Sequence, residues 1–259
     1  MSGIRTSTKG PVLVVTIDRP DVRNAVDGPA AAALAGAFRD FESDVDLRVA
    51  VLTGAGGHFC SGADLKAMAN APERANRIDT EGDGPMGPTR MTLDKPVIAA
   101  IEGYAVAGGL ELALWCDLRV AADDATLGFF DRRWGVPLID GGTIRVTRLI
   151  GQSRALDLLL TGRGVPADEA LEMGLVNRVT TRGGALDVAV ELATDIARFP
   201  QAVMRADRRS AISQWGSGLD DAMAREFRWG IDAASTGETQ TGAERFASGH
   251  GRHGDFDDI

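Results

Sequence analysis

Lys95–Gly142 reads KPVIAAIEGYAVAGGLELALWCDLRVAADDATLGFFDRRWGVPLIDGG, and its interpretation decides the fold. An apolar strand, Val97 to about Ala105, runs through the small-residue turn Ala105-Val106-Ala107-Gly108-Gly109 into a short helix. That helix, Leu-Glu-Leu-Ala-Leu-Trp-Cys, is apolar on every side, which marks it as buried. Glu111 lies in its first turn, where an ionised carboxyl is costly unless it is paired or has a task. Twenty positions on comes Asp131, behind Leu127-Gly128-Phe129-Phe130, and the two form a candidate acid/base couple beside a helix N-terminus.

Outward from this stretch the pattern repeats. Val12–Ile17 is a β-branched run closed by Asp18-Arg19-Pro20. Asp27-Gly28-Pro29 opens an Ala-rich helix to about Glu42, with Asp27 as N-cap. A second strand, Leu47–Thr53, ends in a glycine turn, and a helix resumes at Leu65. Strand followed by helix, three times over, is the signature of a mostly parallel sheet with helices packed outside. The polar, Gly- and Pro-containing stretch 71–89 is the best candidate for a lid. From Gly141 on the pattern is almost entirely helical, and a boundary is expected near 195–200. The expected division is an α/β core over 1–197 and a helical C-terminal region over 198–259.

The bulk numbers bound the function. The chain of 259 residues is long enough to bury a substantial core. A formal charge of -9 argues against nucleic-acid binding but not against an anionic small ligand held by local cations and helix N-termini. The two cysteines, Cys60 and Cys116, lack metal-ligand spacing, so no metal site is expected and a reduced, cytoplasmic setting is. MSGIRTSTKG has no apolar signal region and no run of eighteen apolar residues occurs, so neither a signal peptide nor a membrane span is expected.

Two turns carry the candidate chemistry. HFCSGADLKAM, residues 58–68, is a small-residue turn feeding a helix, a geometry that can leave backbone N–H groups facing an anion. On sequence physics alone a simple strand-to-helix connection is the favoured reading, since such Gly-rich turns are common in α/β folds, and His58 beside Ser61, with no orienting acid, reads as a structural turn residue. The Ala107-Gly108-Gly109 turn is more specific, because it follows a buried-type strand and places the Gly108 N–H where a helix dipole favours negative charge. If the turns converge, the Ala63 and Gly108 amides could together hold an oxyanion. Competing readings stay open: Glu111 tied to Arg119 or Arg145, Asp131 as a charged surface turn, Asp140 as a helix cap, and Asp117 ending the Glu111 helix.

With these residues in hand, the chain resembles the crotonase superfamily, the enoyl-CoA hydratase/isomerase family. The likeness runs from VLVVTIDRPDVRNAVD to GAERFASG. It is most specific in HFCSGADLKAM, KPVIAAIEGYAVAGGLELALWCDLRVA, WGVPLIDGGTIRVTRLIG and LLLTGRGVPADEALEMGLVNRV. The resemblance implies an α/β spiral of ββα units with a helical C-terminal region used in trimerisation, as a homotrimer or a dimer of trimers. It implies an acyl-CoA substrate in fatty acid metabolism, and Ala63 and Gly108 as the oxyanion hole. Glu111 falls on the first catalytic glutamate of the hydratases, and Asp131 stands where their second glutamate would be. Aspartate is one methylene shorter, so the second acid is Asp131 or Asp140.

The expected activity is reversible hydration of a trans-2-enoyl-CoA, with no metal or redox cofactor and coenzyme A entering as part of the substrate. Substrate contacts are expected from Ser61, Gly62, Asp64, Leu65, Lys66, Arg23, Phe130 and Trp134, with Lys66 or Arg23 near phosphate. The alternatives are a double-bond isomerase, which needs one carboxylate, a thioester hydrolase or decarboxylase, and a non-catalytic acyl-CoA binder.

Overall fold

The computed structural model describes residues 2–251. Its strands are β1 (Ile4–Lys9), β2 (Val12–Ile17), β3 (Val49–Gly54), β4 (Val97–Ile101), β5 (Tyr104–Val106), β6 (Leu118–Ala122), β7 (Thr126–Gly128), β8 (Val165–Pro166) and β9 (Arg178–Thr180). Its helices are α1 (Gly28–Ser43), α2 (Leu65–Asn70), α3 (Gly108–Trp115), α4 (Gly142–Ile150), α5 (Gln152–Thr161), α6 (Ala167–Glu172), α7 (Ala185–Arg198), α8 (Gln201–Ser213), α9 (Leu219–Ala234) and α10 (Glu238–Ser248). The chain forms two compact units, Met1–Ala193 and Thr194–Ile259, so the division falls inside α7, four residues ahead of the sequence-based boundary.

In the first unit, six strands form one sheet in the order β1-β2-β3-β4-β6-β9. The β1–β2 hairpin is antiparallel and every later pairing is parallel. β2, β3 and β4 are buried along almost their whole length, as expected of strands covered on both faces. α1 begins where the sequence places it, with the Asp27 carboxylate accepting the Ala30 N–H at 3.0 Å. Its apolar residues at Ala30, Ala31, Leu34, Ala35, Phe38 and Phe41 share one buried face. Phe38 meets Trp115 of α3 edge to face, with ring centroids 4.8 Å apart.

Two expectations are corrected. The apolar run from Val97 to Ala105 is not one strand: Gly103, at φ +49°, turns the chain out of the large sheet, and Tyr104–Val106 joins β7 and β8 in a second sheet. Strand, strand and helix in succession, β4–β5–α3, make up one ββα unit. The region after Gly141 is also less uniformly helical than its sequence pattern, because β9 adds a sixth strand to the large sheet through Val120, Ala121 and Ala122 of β6. Two or three residues carry too little alternation to register as a strand without the neighbour they pair with.

In the second unit, α8, α9 and α10 follow one another through short turns. Glu238, in the first turn of α10, accepts the backbone N–H groups of Ala202 and Val203 at the start of α8. One carboxylate thereby satisfies two otherwise unpaired helix-end donors.

Candidate active site

The Ser61–Asp64 turn is held between two extended segments. On one side Cys60 pairs with Ala105 of β5, and on the other Ala63 pairs with Val26. Gly62, at φ +98°, makes the turn, and a Cβ there would lie 3.0 Å from the Gly108 nitrogen and from the Ala107 Cβ. The two turns therefore converge, as the sequence reading required. Ala107 is held at φ 53° and ψ −129°, unusual for a residue with a side chain. Backbone strain of this kind costs roughly 1–3 kcal/mol and gathers at functional sites. Among the described residues, no hydrogen bond within the protein takes up the N–H of Ala63 or of Gly108. Both residues line a cavity of about 590 Å³.

Glu111 stands on the cavity floor, 2% exposed. Its Oε1 accepts the backbone N–H groups of Asp140 at 3.0 Å and Gly142 at 2.8 Å. Burial raises its pKa to about 7, against the pull of the Gly142 amide, and the charge of Asp140 adds to the rise ahead of that of Asp131. The ion-pair explanation for this buried acid does not hold. Arg119 donates instead to the carbonyls of Ala113, Cys116 and Leu175, at the far end of α3. Arg145 donates to the carbonyls of Asp140 and Thr89, both at 2.7 Å. Asp117 lies just beyond α3, where its Oδ2 accepts the Val97 N–H at the start of β4.

The other two acids also face the cavity, in different states. Asp140 does not cap α4, whose N-cap is Gly141 with no side-chain bond. Its Oδ1 accepts the Met86 N–H at 3.0 Å and the Thr89 hydroxyl. Asp131, 3% exposed, is no solvated surface turn. Its Oδ2 accepts from Arg132 at 3.2 Å, while its Oδ1 is buried and accepts no hydrogen bond among the described residues. Burial raises the pKa of both aspartates from its ordinary value.

Of the residues expected to contact substrate, Arg23, Ser61, Leu65, Phe130 and Trp134 line the cavity, and Gly62, Asp64 and Lys66 do not. The Asp64 carboxylate is occupied structurally, capping α2 at the Ala67 N–H and pairing with Arg19 at 3.0 Å. Lys66 is exposed. His58 is a turn residue stacked on Tyr104. Met86, Asn76, Ile78 and the run Val136–Ile139 also line the cavity and were not anticipated. They are single residues of the 71–89 stretch, Asn76 polar and the other two apolar, or one short loop, among glycines, prolines and charges, so no periodicity marks them.

The stretch 71–89 is anchored along its length. Arg74 binds the buried Asp27, Asn76 donates to the carbonyls of Val26 and Pro85, and Gly84 pairs with Gly87. Met86 and Thr89 then tie to Asp140, and residues 77–82 are the longest exposed run of the stretch. Among the described residues, no group of three or more His, Cys, Asp or Glu side chains is placed to hold a metal ion.

Residues 7–252 match the family model described as Enoyl-CoA hydratase/isomerase. The chain is 37% identical over 246 residues to enoyl-CoA hydratase EchA19 of Mycobacterium tuberculosis, covering 92% of this chain and 91% of that protein. It is 40% identical over 195 residues to a carnitinyl-CoA dehydratase of Salmonella enteritidis, covering 74% of each. Among solved structures, an enoyl-CoA hydratase from M. tuberculosis H37Rv superimposes with a TM-score of 0.90 at 37% identity, covering 96% of both chains.

Proposed function

The chain belongs to the enoyl-CoA hydratase/isomerase family, and from that premise we propose that it catalyses the reversible addition of water to a trans-2-enoyl-CoA. The observation that carries this reading is the convergence, in one cavity, of two free amides with a buried glutamate whose pKa lies near neutrality. The thioester oxygen accepts from the Ala63 and Gly108 N–H groups, which withdraws charge from C3. Fixed donors aimed at a developing oxyanion supply a large share of such a rate enhancement. A water molecule held by Glu111 and a second acid adds through its oxygen to C3, and a proton is delivered to C2, giving the 3-hydroxyacyl-CoA. Water is consumed whole and no electron changes hands, so the step balances without a cofactor.

Glu111, with a pKa of about 7, populates both protonation states at neutral pH, as a group that alternates between base and acid requires. Asp131 is assigned as the second acid, because it lines the same cavity as Glu111 and its Oδ1, with no donor among the described residues, is not committed to holding the fold. Asp140, whose Oδ1 already accepts two donors, is assigned a positioning role. A dehydratase by name removes water, the reverse of this step, so the likeness to carnitinyl-CoA dehydratases fits the same chemistry. The exposed apolar stripe Leu219, Met223, Phe227 and Ile231 on α9 supports the expected homotrimer or dimer of trimers. The two free, buried cysteines support a cytoplasmic setting, and among the described residues no helix is long and apolar enough to cross a membrane.

The shortened side chain at Asp131 favours one second reading, a double-bond isomerase in which Glu111 alone shuttles a proton between C2 and C4. Parallel assays of 2-enoyl-CoA and 3-enoyl-CoA separate the two. Hydration of the 2-enoyl substrate is expected, and isomerisation without hydration would reject the proposal.

A further inference from the structure

Five large apolar side chains that the fold leaves exposed belong to the wall of this one cavity: Leu65 and Met68 on α2, Ile78, Trp134 and Ile139. Ile78 is 72% exposed and Trp134 71%. Single exposed hydrophobics are ordinary, but their convergence from separate stretches of chain on one concavity marks a surface that a ligand covers. The charges are distributed the other way, apart from the exposed Arg23 on the lining. Glu111, Asp131 and Asp140 are only 2%, 3% and 4% exposed. Trp134–Ile139 contributes six consecutive wall residues without a charge.

Volume points in the same direction. At ~30 Å³ for a group the size of a water molecule, a cavity of about 590 Å³ holds roughly twenty such groups. The thioester and the lower pantetheine arm fill part of it, and a four-carbon acyl group would leave much of the apolar wall wet.

We infer that the acyl group this cavity selects is uncharged, apolar and about eight carbons long or longer. The inference rests on the acyl-CoA reading of the site and narrows its substrate class. An added methylene that reaches the wall is expected to raise kcat/KM by about fourfold, the equivalent of ~0.8 kcal/mol. The gradient ends where the wall ends.

The test uses the full chain and trans-2-enoyl-CoAs of four, eight and twelve carbons, with a four-carbon enoyl-CoA bearing a terminal trimethylammonium as the cationic comparison. Dissociation constants of the saturated acyl-CoAs of the same three lengths are measured in parallel. The expected result is a rise in kcat/KM of at least tenfold from four to eight carbons, a matching rise in affinity, and no advantage for the cationic substrate. Ile78→Ser and Trp134→Ala remove exposed side chains, so they should fold, and each should flatten the gradient severalfold. A flat or falling series, or preference for the cationic substrate, would overturn the inference. If no substrate is hydrated but affinity rises with chain length, the hydratase proposal fails and the substrate class stands.

Discussion

Glu111 of α3 and Gly142 of α4 meet through one hydrogen bond, the Gly142 N–H donating to Glu111 Oε1 at 2.8 Å. With the Asp140 N–H on the same oxygen, it fixes one side of the carboxylate and leaves Oε2 for chemistry. Under the proposed reaction the first turn of α4 therefore positions the catalytic carboxyl, although no side chain of that turn need touch substrate.

Replacing Gly142 should expose this dependence. A Cβ there would meet the Glu111 Cγ at 2.7 Å and Oε1 at 2.9 Å, and the backbone of Gly142 itself does not require glycine. Gly142→Ala is expected to lower kcat on the order of a hundredfold through a displacement of about 1 Å. The check is steady-state kinetics beside thermal melting, where Tm should change by only a few degrees.

The raised pKa of Glu111 has a thermodynamic counterpart. With a folded value of about 7 against 4.5 in the unfolded chain, this group favours the fold fully below pH ~4.5 and loses that contribution as pH rises to 7. Glu111→Gln keeps an oxygen for the two amides and removes the charge. It is expected to stabilise the protein by up to about 3 kcal/mol above pH 7, with the difference from wild type vanishing toward pH 4.5. Urea denaturation of both proteins across that range is the check.

The two aspartates should respond differently. Asp131→Asn removes the acid with the unpartnered oxygen and should lower kcat by about a hundredfold or more. Asp140→Asn retains an oxygen for Met86 and Thr89 and should cost only about tenfold. Kinetics of the two variants on one enoyl-CoA decide it, and the reverse order would transfer the second-acid role to Asp140.

Asp27 tests the scaffold rather than the chemistry. It is fully buried, caps α1, and pairs with Arg19 at 2.9 Å and with Arg74. Asp27→Ala leaves Arg19 facing Asp64 alone and removes a cap, and should cost about 3–5 kcal/mol of stability by urea denaturation.

Much of this was legible in the sequence because the relevant signals are local. Asp27 followed by Gly-Pro announces its helix, and a glutamate in an all-apolar helix announces a task. The convergence of the Ser61–Asp64 and Ala107–Gly109 turns stood in the sequence only as a condition of the oxyanion reading, because the bridges that enforce it join residues far apart in the chain. What stayed hidden depends on partners. Asp140 resembles a cap until Met86 and Thr89 are seen on its oxygen, and Arg178–Thr180 is a strand only because β6 pairs with it. The 71–89 stretch looked free because its anchors, Arg74, Asn76 and Thr89, are polar residues whose partners lie elsewhere in the chain.

The central claim is that Glu111 moves the proton, and it is tested most directly by comparing Glu111→Gln with wild type for 2-enoyl-CoA hydration and for acyl-CoA affinity. The account predicts a fall in kcat of about a thousandfold, with the dissociation constant of a saturated acyl-CoA changed by no more than about threefold. An unchanged hydration rate in Glu111→Gln would contradict it.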